Sequence, residues 1–195
     1  MPKIVDHKKR QQEIASAAFV TVSKLGIAST TMRAVAEKAN CTTGAILHYF
    51  KSKDDILIAA LNFSHERTAV RMRALIKVDA PHLIYHLCAE ALPLEGEHKE
   101  EWRVWMEFWG HAIRHPDLQK INKQRYRHWL SGIKMALQKG IERSELKKNL
   151  TVSQETLAIA ALIDGLGIQA MLDPKRLPSN VQLNIIKQHL NRLQA

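Results

Sequence analysis

Cysteine is scarce in this 195-residue sequence: Cys41 and Cys88 stand far apart and form no CxxC pair. That usage builds no disulfide framework and fits a reducing compartment. Glycine is scarce too, with eight scattered residues and no glycine-rich loop to cradle a phosphate. GxSxG and HExxH are absent, as is any Ser/His/Asp order on a strand scaffold. Nothing alternates with period two between turn signals, so no strand is expected. These absences argue against an enzyme, and no cofactor is expected. The most apolar window, 157–172, is broken by Asp164 and Gln169 and reads as too short to span a bilayer. The opening MPKIVD lacks the long apolar stretch of a leader. The expectation is a soluble cytoplasmic protein with no membrane partner.

Acidic residues are also in deficit. Lys and Arg number 29 against 19 Asp and Glu, leaving a net charge of +10. Residues 1–77 carry 13 basic and 6 acidic side chains, so two fifths of the chain hold most of the excess. Such a surplus suits a polyanionic partner, nucleic acid before an acidic membrane face. A basic solvated surface is the plainer alternative. Apolar residues at 46% and charged residues at 25% describe a folded globular chain, long enough to bury a core.

Nearly every segment repeats at helical spacing. The pattern predicts a first helix over 7–25, with Ile14, Ala18, Val22 and Leu25 on one face and Gly26 ending it in the left-handed conformation. Thr31 caps a short helix whose apolar positions are Met32, Val35, Ala36 and Ala39. Asn40, Cys41 and Thr42 break it, Asn being tolerant of positive φ, and Cys41 reads as a small buried hydrophobe. A third helix runs from Thr42 or Thr43 to about Phe50. Ser52 and Asp55 have capping-box spacing and open a fourth helix to about Lys77. Asp79 and Pro81 begin another, stopping near Pro93. Further helices are expected over about 97–115, 116–143 and 153–172. Ser179 and Gln182 are read as a capping box for the last, to about Leu193. The fold class is all-α with about nine helices. An N-terminal three-helix head, 1–52, joins a C-terminal bundle, 53–195, at a helix junction near Ser52.

The informative segment is 31–50. Two short helices around a three-residue turn make a helix-turn-helix, whose second helix enters the major groove of DNA. Ile46, Leu47 and Phe50 are assigned to the packed side. Gly44, Ala45, His48 and Tyr49 face outward. Gly44 and Ala45 allow close approach, Ala45 could touch a thymine methyl, and His48 could bond a base edge. Thr31 and Thr42 at helix N-termini, with Tyr49, Lys51 and Lys53, are assigned to phosphates; Arg33, Lys8, Lys9 and Arg10 add electrostatic reach, and Thr43 is a further DNA-binding candidate. Two amphipathic helices around a turn also occur where no DNA is bound. Tyr49 could simply pack, and Lys53 could be a solvated lysine.

Residues 31–54, TMRAVAEKANCTTGAILHYFKSKD, resemble the DNA-binding region of TetR-type repressors. Thr31, Val35, Ala36, Gly44, Tyr49, Phe50, Ser52 and Lys53 match that pattern. Asn40 stands for the usual turn Gly, Cys41 for the usual Val, and Leu47 for a frequent Tyr. The likeness covers about residues 8–60. A looser one extends through Trp102, Trp105, Phe108 and Trp109, then His115-Pro116 and Leu118, Arg125-Tyr126, and Ala160 to Leu166. These resemble the BetI-like branch, the choline-responsive repressors of glycine-betaine synthesis. The resemblance implies a homodimer whose heads bind a palindromic operator in double-stranded DNA. It also implies a bundle that holds a small-molecule inducer and dimerises through the last two long helices. Ala160, Ala161, Gly165, Gly167 and Ala170 are small enough for close helix packing there. Two-fold symmetry would set the recognition helices about 34–36 Å apart.

Other constellations stay open. Trp102, Trp105 and Trp109 lie at i, i+3 and i+7, with Tyr126 and Trp129 on the next helix. They are either a bundle core or an aromatic box for a quaternary ammonium, with Glu107 or Asp164 as counter-charge. Trp105, Trp109, Tyr126, Trp129 and Asp164 are the ligand-binding candidates. Asp164 sits in an apolar helix and needs a partner if buried. His82/His86 and His111/His115 stand at i, i+4, which on a helix could hold a metal, although satisfied or surface histidines are the plainer reading. The rival from another class is a helical small-molecule- or metal-binding protein that does not bind DNA. A peripheral membrane protein held by the basic first helix is a third.

Overall fold

The computed structural model describes residues 7–195, and the reading of MPKIVD lies outside them. Among the described residues there are nine helices: α1 (His7–Ser29), α2 (Met32–Lys38), α3 (Thr43–Leu47), α4 (Lys53–Lys77), α5 (Leu83–Ala91), α6 (Glu97–Ala112), α7 (Pro116–Glu142), α8 (Val152–Leu172) and α9 (Ser179–Asn191). The only extended pairing among them is an isolated antiparallel bridge between Leu146 and Gln194. The chain forms two compact units. One runs through Arg67 and includes Arg103–His111; the other comprises Thr68–Trp102 and Ala112–Ala195. The division falls within α4 and α6.

In the first unit, α1 buries Ile14, Ala17, Ala18, Phe19 and Val22. Gly26 interrupts the helix at φ 72, ψ 162. That is positive φ, as expected, but not the left-handed helical well; it lies in a region open essentially to glycine alone. The bend changes what is buried. Leu25, expected on the core face, is 51% exposed, and Ile27 beyond the bend is 1% exposed in its place. Helix α2 buries Val35 and Ala36, and Asn40 adopts φ 49 at the break. Cys41 is half-exposed against Arg10 rather than buried. The capping box at α4 forms as read. The Ser52 hydroxyl accepts from the Asp55 amide at 3.1 Å, and the Asp55 carboxylate accepts from the Ser52 and Lys51 amides at 3.0 and 2.7 Å.

In the second unit, α8 packs between α7 and α9. Its buried residues are Thr156, Ile159, Ala160, Ile163, Leu166, Gly167 and Ala170, one continuous helical face. At 21 residues and mean hydropathy 1.4, α8 is long and apolar enough to cross a bilayer by length and composition. That corrects the expectation that it is too short. Two other boundaries shift. Asp79 and His82 both take positive φ, so α5 starts at Leu83 rather than near Pro81. Ser179 and Gln182 do not cap reciprocally. The Ser179 hydroxyl donates to the Leu94 carbonyl at 2.7 Å, and the Gln182 amide to the Leu177 carbonyl at 2.9 Å.

Candidate functional site

The helix-turn-helix is built by its caps. The Thr31 hydroxyl accepts from the Ala34 amide at 3.1 Å, and the Thr42 hydroxyl from the Ala45 amide at 3.2 Å. Each O–H hydrogen is then left to donate elsewhere. Helix α3 is short, ending at Leu47, and tightens beyond it through i→i−3 bonds from His48 to Ala45 and Tyr49 to Ile46. Ile46 and Phe50 are buried. Thr42, Thr43, Gly44 and His48 are exposed, and Ala45 and Tyr49 are half-buried. Gly44 and His48 therefore face solvent.

Leu47 departs from its expected place. It is 47% exposed, on the outer arc with Thr43, Gly44 and His48. The signal was available: helical winding places residue 47 about 100° around from Ile46, on the flank of the packed face.

The basic groups around this arc have intramolecular partners. Arg33 pairs with Glu37 at 3.1 Å with both side chains largely in solvent, an arrangement that holds them only weakly. The Lys51 ammonium donates to the Leu47 carbonyl, at the end of α3. The Lys53 ammonium donates to the Ala28 carbonyl at 2.7 Å, tying the start of α4 to the end of α1. An ammonium has three donors, so these bonds leave capacity for an anion. Lys9 and Arg10 line an open groove with Lys38 and Asn40, and the reading of the sequence missed Lys38. Glu107 is also engaged inside the first unit. Its carboxylate accepts from the Ile27 amide at 3.1 Å and lies 2.9 Å from where a Cβ on Gly26 would stand. It holds the bend at the end of α1, a role different from ammonium counter-charge.

The tryptophans separate. Trp102 is a core residue of the second unit, 1% exposed, with its indole N–H donating to the Ala91 carbonyl at 2.8 Å. Its ring lies where a Cβ on Gly167 would be, so Gly167 serves internal packing rather than a seam between chains. Ala160 and Ala170 are buried as well, while Ala161 and Gly165 are exposed. In the first unit Trp105 stacks on His65, ring centroids 5.8 Å apart, and Trp109 is half-buried. In the second unit the Tyr126 hydroxyl donates to Asp164 at 2.9 Å, joining α7 to α8. Burial pushes the Asp164 carboxyl above the usual carboxylate range, and the Tyr126 bond partly opposes that. Burial, then the charge of Asp164, pushes the Tyr126 hydroxyl up. Burial lowers the neighbouring Arg125 guanidinium. Trp129, half-buried, follows one turn later on α7.

One buried polar cluster was not anticipated. Arg71 donates to Glu90 at 2.7 Å and to both oxygens of Glu101 at 3.0 and 2.7 Å, and the Thr68 hydroxyl bonds Glu101 at 2.9 Å. Glu101 is 1% exposed, and its buried charge is met by the guanidinium. The histidine pairs do not share helix faces: His82 precedes α5 at φ 52, and His115 precedes α7 at φ −124. Among the described residues no group of three His, Cys, Asp or Glu side chains is placed to hold a metal. Burial pushes the Cys88 thiol up to about 12, far from a reactive thiolate.

Residues 82–195 match the family described as BetI-type transcriptional repressor, C-terminal, and residues 13–60 match the tetR family of bacterial regulatory proteins. The chain belongs to the TetR family of transcriptional regulators. Members of that family are regulators, not enzymes. This TetR-family chain is 28% identical to the HTH-type transcriptional regulator PksA of Bacillus subtilis, over 99% of its length and 94% of the relative's. It is 23% identical to the BetI regulator of Paraburkholderia xenovorans over 100% and 98%. A transcriptional regulator from Saccharomonospora viridis, crystallised in complex with choline, has the same fold: TM-score 0.86, 22% identity, covering 94% of this chain and 96% of that one. A TetR-family regulator from a Rhodococcus species gives TM-score 0.82 at 19% identity, covering 96% and 100%.

Proposed function

We propose that this BetI-like regulator acts in the cytoplasm as a homodimeric repressor on a palindromic operator, and that an organic cation of the choline type releases it. Residues 1–52 serve DNA, and 53–195 serve the ligand and the dimer. The observation that carries the DNA reading is the exposed arc Thr43, Gly44 and His48 on a helix capped by Thr42. Gly44 and Ala45 keep that helix slim against base edges, and His48 reads them. Thr31, Arg33, Thr42, Tyr49, Lys51 and Lys53 position it on phosphates. For the ligand, Asp164 is half-buried and bonded to Tyr126, and Trp129 follows Tyr126 by one turn of α7, a pairing of carboxylate and aromatic that suits a quaternary ammonium, which has no N–H donor. The choline held by the Saccharomonospora neighbour supports that class. Trp105 and Trp109 lie in the other unit and are left out of the proposed group. For the dimer, the outer face of α8 presents Leu157, Ala161, Gly165 and Leu172 to solvent, with Leu157 57% and Leu172 67% exposed. Ligand releases DNA only if it binds the two dimer states with different affinity.

The test is affinity for promoter fragments at two salt concentrations. A specific repressor prefers its operator over random duplex, and its affinity falls steeply as salt rises. Lys51→Ala should weaken all duplexes alike and His48→Ala should relax specificity. Equal affinity for every sequence would count against the reading. Choline, betaine aldehyde and simple amines are then screened by thermal shift. Silence for every quaternary amine would remove the ligand class and leave the repressor standing.

A further inference from the structure

We propose that Leu47 is a specificity-determining residue that reads a thymine methyl group in each operator half-site; this rests on the DNA-binding reading above. The observation is the position of an apolar side chain. Leu47 is 47% exposed, one turn beyond Thr43 and adjacent to His48, on the arc offered to the duplex. Gly44, on the same arc, has only the Thr42 hydroxyl near it, 3.9 Å from where a Cβ would stand, so the arc beside Leu47 is slim at that position. The surroundings suit a polyanion: Lys51 donates to the Leu47 backbone carbonyl itself, and Arg33 is solvent-exposed on α2.

Leucine has no donor or acceptor. Set against N7, O6 or N4 of a base it would strip water from a polar edge and return no hydrogen bond. The major groove offers one apolar group, the C5-methyl of thymine. A leucine carried on the entering arc therefore favours T·A at the base pair beneath it and disfavours the others. A tyrosine at that position, by contrast, carries a hydroxyl able to bond phosphate or base edge. The departure at position 47 thus changes what is read rather than deleting a contact.

The experiment uses the full-length protein. Duplexes are enriched from a random pool by the wild type. Each thymidine of the enriched site is then replaced by deoxyuridine, which keeps the pairing and O4 and removes only the methyl. One symmetric pair of positions should lose affinity about fourfold per half-site, the worth of one buried methyl. Leu47→Ala should keep the wild-type melting temperature, because the side chain is exposed. It should also be indifferent to deoxyuridine at that pair while remaining sensitive to changes elsewhere in the site. A wild type tolerant of deoxyuridine at every position overturns the proposal. So does a Leu47→Ala variant that loses as much as the wild type at the same pair, which would assign the methyl to Ala45. Failure to enrich any duplex would instead overturn the DNA-binding reading itself.

Discussion

Two residues show how local chemistry shapes this chain. Gly26 stands at φ 72, ψ 162 with the Glu107 carboxylate where a side chain would begin. Gly26→Ala must therefore strain the backbone and displace the acceptor of the Ile27 amide. We expect a loss of about 1–3 kcal/mol, read by urea unfolding; unchanged stability would mean the bend is not held there. Asp164 gives a pH dependence. Burial raises its carboxyl pKa in the folded state, so between the ordinary carboxylate value and the raised one the folded chain holds more protons than the unfolded. The stability this group contributes is present below the ordinary value and is lost as pH rises through the raised one. Asp164→Asn keeps an acceptor for Tyr126 and removes that loss. Its melting temperature should match the wild type in acid and exceed it increasingly towards neutrality. A cationic ligand should bind the wild type more tightly across the same rise, and the variant should show no such gain.

Among the elements, α8 is buried along one whole face. That face is closed by α7, α9 and the Trp102 ring against Gly167. Gly167→Ala would force the indole from its place and break the bond to Ala91, costing about 1–3 kcal/mol as an overpacked core does. A shift in near-ultraviolet circular dichroism should accompany the loss. The periodicity of α8 was readable because seven buried positions repeat at helical spacing. Its neighbour Trp102 was legible only as a member of a tryptophan row at core spacing, because that i, i+3, i+7 pattern does not say which ring packs on which glycine. The same limit applied to α3. Its cap and turn were legible in Thr42 and Asn40, whose bonds and dihedral are local. The outward face of Leu47 depended on how far around α3 the rest of the first unit covers, and it buries Ile46 and Phe50 while leaving Leu47 exposed.

For the whole molecule, the surplus of positive charge and the unpartnered face of α8 make one joint expectation. Gly165 is exposed on that face with open space around it. Gly165→Arg should leave the protomer folded and place a desolvated charge in the proposed seam. Sedimentation should then report monomers, and operator affinity should fall far more than affinity for random duplex, because a palindrome needs both heads at once. A dimer that survives the change, with full operator affinity, would move the seam elsewhere.

Hydrophobic spacing, caps and breakers are written within a turn or two of chain. The all-α class, the helix-turn-helix and its Thr31, Thr42 and Ser52 caps were accordingly decided by the amino acids alone. Contacts across 19 to 80 residues were not. Arg71 on Glu90 and Glu101, Glu107 on the Ile27 amide, Trp102 over Gly167 and Tyr126 on Asp164 exist only once helices have packed. Side-chain reach and burial, rather than sequence spacing, select those partners.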